Sequence, residues 1–100
     1  MEYNHLGSDS AGRVEMEGYT TAIEYKGHLL TVQTQDKGPA FNYVESLIFL
    51  GGKVIFSRRA SYSAHLNEPD LQEIIKRLVE ELHADVLDEI VEGKYDRFLE

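Results

Sequence analysis

Apolar and polar residues alternate with period two over the middle of the chain and with helical period near its end. "YTTAIEY", residues 19–25, sets Tyr19, Thr21, Ile23 and Tyr25 against Thr20, Ala22 and Glu24. "HLLTVQTQ", residues 28–35, sets His28, Leu30, Val32 and Thr34 on one side. With Lys26-Gly27 as a two-residue turn, Ile23 opposes Leu30 and Thr21 opposes Val32, so one face is mostly apolar. "DKGPAFN", residues 36–42, is a loop broken at Gly38-Pro39. "YVESLIFL", 43–50, and "KVIFSRRA", 53–60, flank Gly51-Gly52, a hairpin signal because both turn positions need positive φ. That turn predicts Phe49 opposite Val54, Leu47 opposite Phe56 and Glu45 opposite Arg58. Asn67 as N-cap, Pro69 in the first turn and Asp70 as capping-box acid open a helix over 68–92, closed by Gly93. The expected fold is α+β: a four-stranded, mainly antiparallel sheet in two hairpins, followed by one long C-terminal helix packed on one face. Residues 1–13 read as a disordered leader, 14–93 as a single domain and 94–100 as a C-terminal tail, with Leu99-Glu100 in the style of a cloning remnant.

Two surfaces in this scheme do not close. A helix over 68–92 is ~37 Å long, whereas an eight-residue strand spans ~27 Å. Ile75, Leu78 and Leu82 lie within ~40° of Leu71 at 100° per residue, but Leu87 and Val91 lie ~160° and ~200° round. In the second hairpin Tyr43, Leu47, Phe49, Val54 and Phe56 form one face and Val44, Ile48, Leu50 and Ile55 the other. A sheet covered on one side should not be apolar on both. One explanation is a kinked helix with the leader folded back over the sheet. The other is a protein partner, most simply a second copy of the chain in a symmetric homodimer, contacting Leu87, Val91, Val44, Ile48 and Ile55.

Composition narrows the classes. One hundred residues make one domain, and 42% hydrophobic with 28% charged residues is a globular balance. The absence of cysteine excludes a disulfide framework, a zinc ribbon and a thiol nucleophile, and suits a reducing cytoplasm. No apolar run approaches the ~18 residues of a membrane span, and the N-terminus lacks the basic and apolar regions of a secretory signal. The net charge of −8 is uneven: residues 1–62 carry seven acids and six bases, residues 63–100 eleven acids and four bases. A duplex-binding domain shows the opposite balance.

Candidate chemistry is sparse. Glu80-x-x-His83 has the spacing of half a di-metal carboxylate motif but lacks the facing helices that supply the rest, so unless a dimer supplies the second copy it reads as a solvated helix edge. Ser61, Ser63, His65 and Asp70 are triad residue types without a nucleophile-positioning turn. Gly51-Gly52-Lys53 lacks the frame of a phosphate cradle. "RRAS", 58–61, matches a basic-basic-x-Ser kinase pattern placed awkwardly in a strand. Lys53, Arg58 and Arg59, with Tyr62 and Tyr43 as stacking surfaces, form the candidate contact for single-stranded nucleic acid or a small anion. No catalytic residue, cofactor or metal site emerges, and the reading is a non-enzymatic interaction or regulatory domain.

Val32, Gln33, Thr34, Gln35 and Asp36, then Gly51-Gly52, then Ser57, Arg58, Arg59, Ser61 and Tyr62 resemble a pattern, V-Q-T-[EQ]-D … Gly-Gly hairpin … S-[RK]-[RK]-x-S-Y, of an uncharacterised family of small bacterial domains. The resemblance spans roughly residues 18–92 and implies a bacterial cytoplasmic origin and no known activity. If the ends of the second and fourth strands adjoin, they form one polar cluster, read first as satisfaction of buried backbone groups and second as a binding site for a peptide or small anion.

Overall fold

A computed structural model describes residues 18–99. Four strands, β1 (Gly18–Tyr25), β2 (His28–Asp36), β3 (Tyr43–Leu50) and β4 (Lys53–Ser61), precede one helix, α1 (Leu71–Val91). They form an antiparallel meander in the order β1-β2-β3-β4. The expected α+β fold is the observed one. The leader lies outside the described residues.

Turn chemistry fixes the first hairpin as expected. Lys26 and Gly27 take φ of 51° and 81°, and Ile23 pairs with Leu30 and Thr21 with Val32. Gly51 and Gly52 likewise take φ of 60° and 83°, and Phe49 opposes Val54. Beyond that pair the second hairpin departs from expectation. Ile48 opposes Phe56, so Ile55 is an extra residue, a β-bulge on the edge strand. The bulge reverses the parity of the rest of β4. Arg59, not Arg58, faces Glu45, and Phe56 turns from the outer face to the helix side.

The helix is shorter than expected. Asp70, not Asn67, is its N-cap, through its backbone carbonyl rather than its side chain. Its 21 residues span about 31 Å. Gly93, at φ 87°, ends it in a Schellman turn: Lys94 N–H donates to Glu89 O and Gly93 N–H to Ile90 O, each at 3.0 Å. The chain then folds back, and Tyr95 and Leu99 are buried in the core. Phe56 packs on Tyr95 and Phe98 at centroid distances of 4.7 and 5.6 Å. This returning segment covers the β4 side of the sheet, while α1 lies over β1, β2 and β3. The tail therefore completes the core.

The buried stripe of α1 is Ile75, Val79, Leu82, His83, Val86 and Ile90. It sits on Leu30, Val32, Val44 and Ile48. One stripe on a 3.6-residue period suffices, and no second helix face needs cover. Val44 and Ile48, expected on a partner surface, are instead 0% and 1% exposed within this core. Leu87 and Ile55 are partly buried against it. Only Val91, at 61% exposure, of those five expected contacts stands free of the core.

Candidate interaction surface

Alternation along each strand puts one set of side chains under α1 and the other on the opposite face of the sheet. That open face carries Thr20, Ala22 and Glu24 from β1, and Leu29, Thr31, Gln33 and Gln35 from β2. β3 adds Tyr43, Glu45, Leu47 and Phe49, and β4 adds Val54, Ser57, Arg59 and Ser61. No described residue packs over it as a layer. Its two ends differ. At the end holding both two-residue turns, Leu29 and Val54 are 65% and 50% exposed. There Leu29, Thr31, Phe49, Gly51 and Gly52 surround a shallow hollow of about 470 Å³. A Cβ at either glycine would meet nothing within 4 Å, so the hollow is open on the glycine side.

The opposite end is aromatic and charged. Phe41 is 59% exposed and lies 5.7 Å from the Tyr43 ring. The Arg59 guanidinium covers that ring at 4.6 Å and donates from Nε to Glu45 Oε2 at 2.9 Å. Lys37 Nζ stands 3.9 Å from Glu45 Oε1. The hydrogen bond to Glu45 holds Arg59 more firmly protonated than usual. The pair is exposed, so its net contribution to stability is small.

The expected anion contact does not assemble. Lys53 is exposed beside the Gly51-Gly52 turn. Arg58, reversed by the bulge, points to the helix side and pairs with Glu89, which also accepts from Tyr95 Oη. Arg59 lies on the open face with Glu45. Tyr62 is 2% exposed and donates to Asp36 Oδ1 at 2.6 Å. The four residues thus lie on different faces and at different ends of β4 and share no site.

Asp36 and Tyr62 do join the ends of β2 and β4 in one polar cluster. Asp36 Oδ1 also accepts the Gly38 N–H at 2.9 Å. Burial first, and the donated hydrogen bond to Asp36 second, raise the Tyr62 hydroxyl above its ordinary range. The cluster is internally satisfied, as a structural lock should be. Replacing Tyr62 by phenylalanine is expected to lower stability by about 1–2 kcal/mol. A denaturant midpoint unchanged from the parent would contradict that role.

The spacing places His83 on a solvated helix edge, whereas the structure buries it. It is 0% exposed. Thr34 donates to Ser46 Oγ at 2.8 Å, which leaves its lone pairs for the His83 Nδ1–H at 2.7 Å. The unprotonated Nε2 then accepts from Thr21 Oγ1 at 2.7 Å. Burial lowers the His83 pKa from 6.5 to about 4, so the ring is neutral near pH 7. Both ring nitrogens are engaged, which leaves none for a metal. Glu80 instead is exposed and accepts from Tyr19 Oη at 2.9 Å. The available signals were the i, i+4 spacing of Val79 and His83 and the inward parity of Thr21 and Thr34.

Among the described residues, no group of three or more His, Cys, Asp or Glu side chains is placed to hold a metal ion. No helix there is long and apolar enough to cross a membrane. No family model, curated protein or solved structure matches the chain.

Proposed function

We propose that this chain is a non-enzymatic interaction domain whose contact surface is the open face of its sheet. The observation that carries the reading is the pairing of large exposed apolar groups, Leu29, Val54 and Phe41, with the partly buried Leu47 and Phe49 between them on that face. A one-sided antiparallel sheet normally presents polar side chains to water. Leu29, Phe49 and Val54 lie on neighbouring strands at one end of the face, and a grouped apolar patch marks a contact site more often than scattered single residues do. The acidic helix covers the other side of the sheet, so charge repulsion is directed away from the patch. A cytoplasmic setting is consistent with the cysteine-free composition. Nothing in the arrangement favours the nucleic-acid reading, because the basic residues are spent on Glu45 and Glu89 or stand apart.

The reading is tested with Leu29→Glu and Val54→Glu. Both side chains are half or more exposed, so stability should stay within about 0.5 kcal/mol of the parent. Association, measured by sedimentation of the pure chain and by capture of binding proteins from cell extract, should be lost. Undiminished association in both variants would overturn the open face as the contact surface.

A further inference from the structure

We infer that the occupant of the open face is a second copy of this chain, with Phe41 of each copy seated in the hollow beside Leu29 and Phe49 of the other. This inference rests on the proposal above and names the partner for it.

Knob and hollow lie at opposite ends of one face. Phe41 belongs to the loop joining β2 to β3, next to Tyr43 on the open side. The hollow lies at the far ends of the same strands, beside Gly51-Gly52. A two-fold axis lying in the plane between the two faces and running across the strands over Gln33 and Leu47 brings each knob over the other copy's hollow. A symmetric interface requires that reciprocity: residue i meets j and j meets i. A hollow of about 470 Å³ has room for a phenyl group, and its glycine side leaves space for the ring to enter.

Charge permits the approach. The open face and its margin carry Glu24 and Glu45 against Lys37 and Arg59, a neutral set with Glu45 already paired. α1 carries six acids and two bases on the opposite side of the sheet. Two sheets packed face to face stand ~10 Å apart. The two acidic helices then lie on the outer sides of that sandwich, farther apart than the ~10 Å screening length at 0.1 M salt.

Area sets the affinity class. Four strands ~4.8 Å apart and ~27 Å long present a face of roughly 500 Å². Two such faces remove roughly 1,000 Å², the small end of specific interfaces. The pair should therefore dissociate on dilution rather than form a permanent dimer.

The chain has no cysteine, so a single introduced thiol reports one contact. Phe41→Cys and Leu29→Cys proteins are mixed at high concentration under mild oxidation. The expected product is the 41–29 disulfide between two chains, identified by mass spectrometry, with little 41–41 or 29–29 product. Ala40→Cys mixed with Leu29→Cys repeats the test with the Phe41 side chain in place. A light-scattering mass of a dimer without either cross-link would overturn the knob-and-hollow geometry. A monomer at every concentration would overturn the second copy as occupant. In that case the wider proposal is judged separately, by whether Leu29→Glu abolishes capture of another protein.

Discussion

Protonation of His83 as the pH falls from 7 to 4 destabilises the fold by about 3 kcal/mol, and replacing His83 by leucine removes that contribution. In the folded chain burial depresses the His83 pKa to about 4, whereas the unfolded chain titrates near 6.5. Between those values the unfolded state binds the extra proton, so stability rises with pH across the window. The contribution is complete above pH 6.5 and is lost as pH falls through about 4. At about 1.4 kcal/mol per unit, the depression corresponds to the stated 3 kcal/mol. The carboxylates held low by partners, Glu89 and Asp96, lose their contribution below the ordinary carboxylate range, mostly under this window. His83→Leu fills similar space but strips a partner from the Thr21 and Thr34 hydroxyls. It should therefore begin about 1–3 kcal/mol less stable at pH 7 and change little down to pH 5. Denaturant midpoints at half-unit pH steps read both effects. A parent chain as stable at pH 4.5 as at pH 7 would show that His83 is not held neutral by burial.

Ending the chain after Gly93 should unfold it or leave it close to unfolding. Tyr95, Phe98 and Leu99 would be lost together, and two of the three are buried in the core. Removing one buried aromatic side chain costs about 3–5 kcal/mol. The total stability of a domain of this size is about 5–15 kcal/mol. The truncation also deprives Glu89 of the Tyr95 hydroxyl and leaves Phe56 without its two aromatic neighbours. Tyr95→Phe keeps the ring and loses only the hydroxyl, so it should be far milder, by about 1–3 kcal/mol. Circular dichroism and cooperative thermal unfolding separate the two variants. A truncated chain that melts as cooperatively and as high as the parent would mean that the returning segment is an appendage.

The parts of this fold visible in the sequence are those governed by local rules. Positive-φ turns at Lys26-Gly27 and Gly51-Gly52 and the alternation of Leu30, Val32 and Thr34 determine two hairpins and most of their register. What escaped depends on tertiary contact. Ile55 and Phe56 are adjacent apolar residues, and either parity suits a strand. In the bulged register Phe56 packs on Tyr95 and Arg58 pairs with Glu89, contacts that the local pattern does not contain. Helical spacing contained the stripe through Val79, Val86 and Ile90, but centring it on Leu71 set Leu87 and Val91 apart as a second, incomplete face. The burial of His83 depends on hydroxyls placed by β1 and β2, 62 and 49 residues away in sequence. Tyr95, Phe98 and Leu99 carry no period of their own because they pack from an irregular segment. The excess of apolar surface noticed in the sequence was therefore partly the return of this segment. The residue of it that persists is the open face around Leu29, Phe49 and Val54.

The interaction surface can be tested most directly by the solution mass of the parent and of Leu29→Glu, measured by light scattering over a concentration series. The parent should rise from the 11.4 kDa of one chain towards twice that mass as concentration increases, and show little dependence on salt. Leu29→Glu, equally folded by circular dichroism, should remain at the mass of one chain throughout. A parent that stays monomeric at every concentration, or a dimer that Leu29→Glu leaves intact, would contradict self-association through the open face of the sheet.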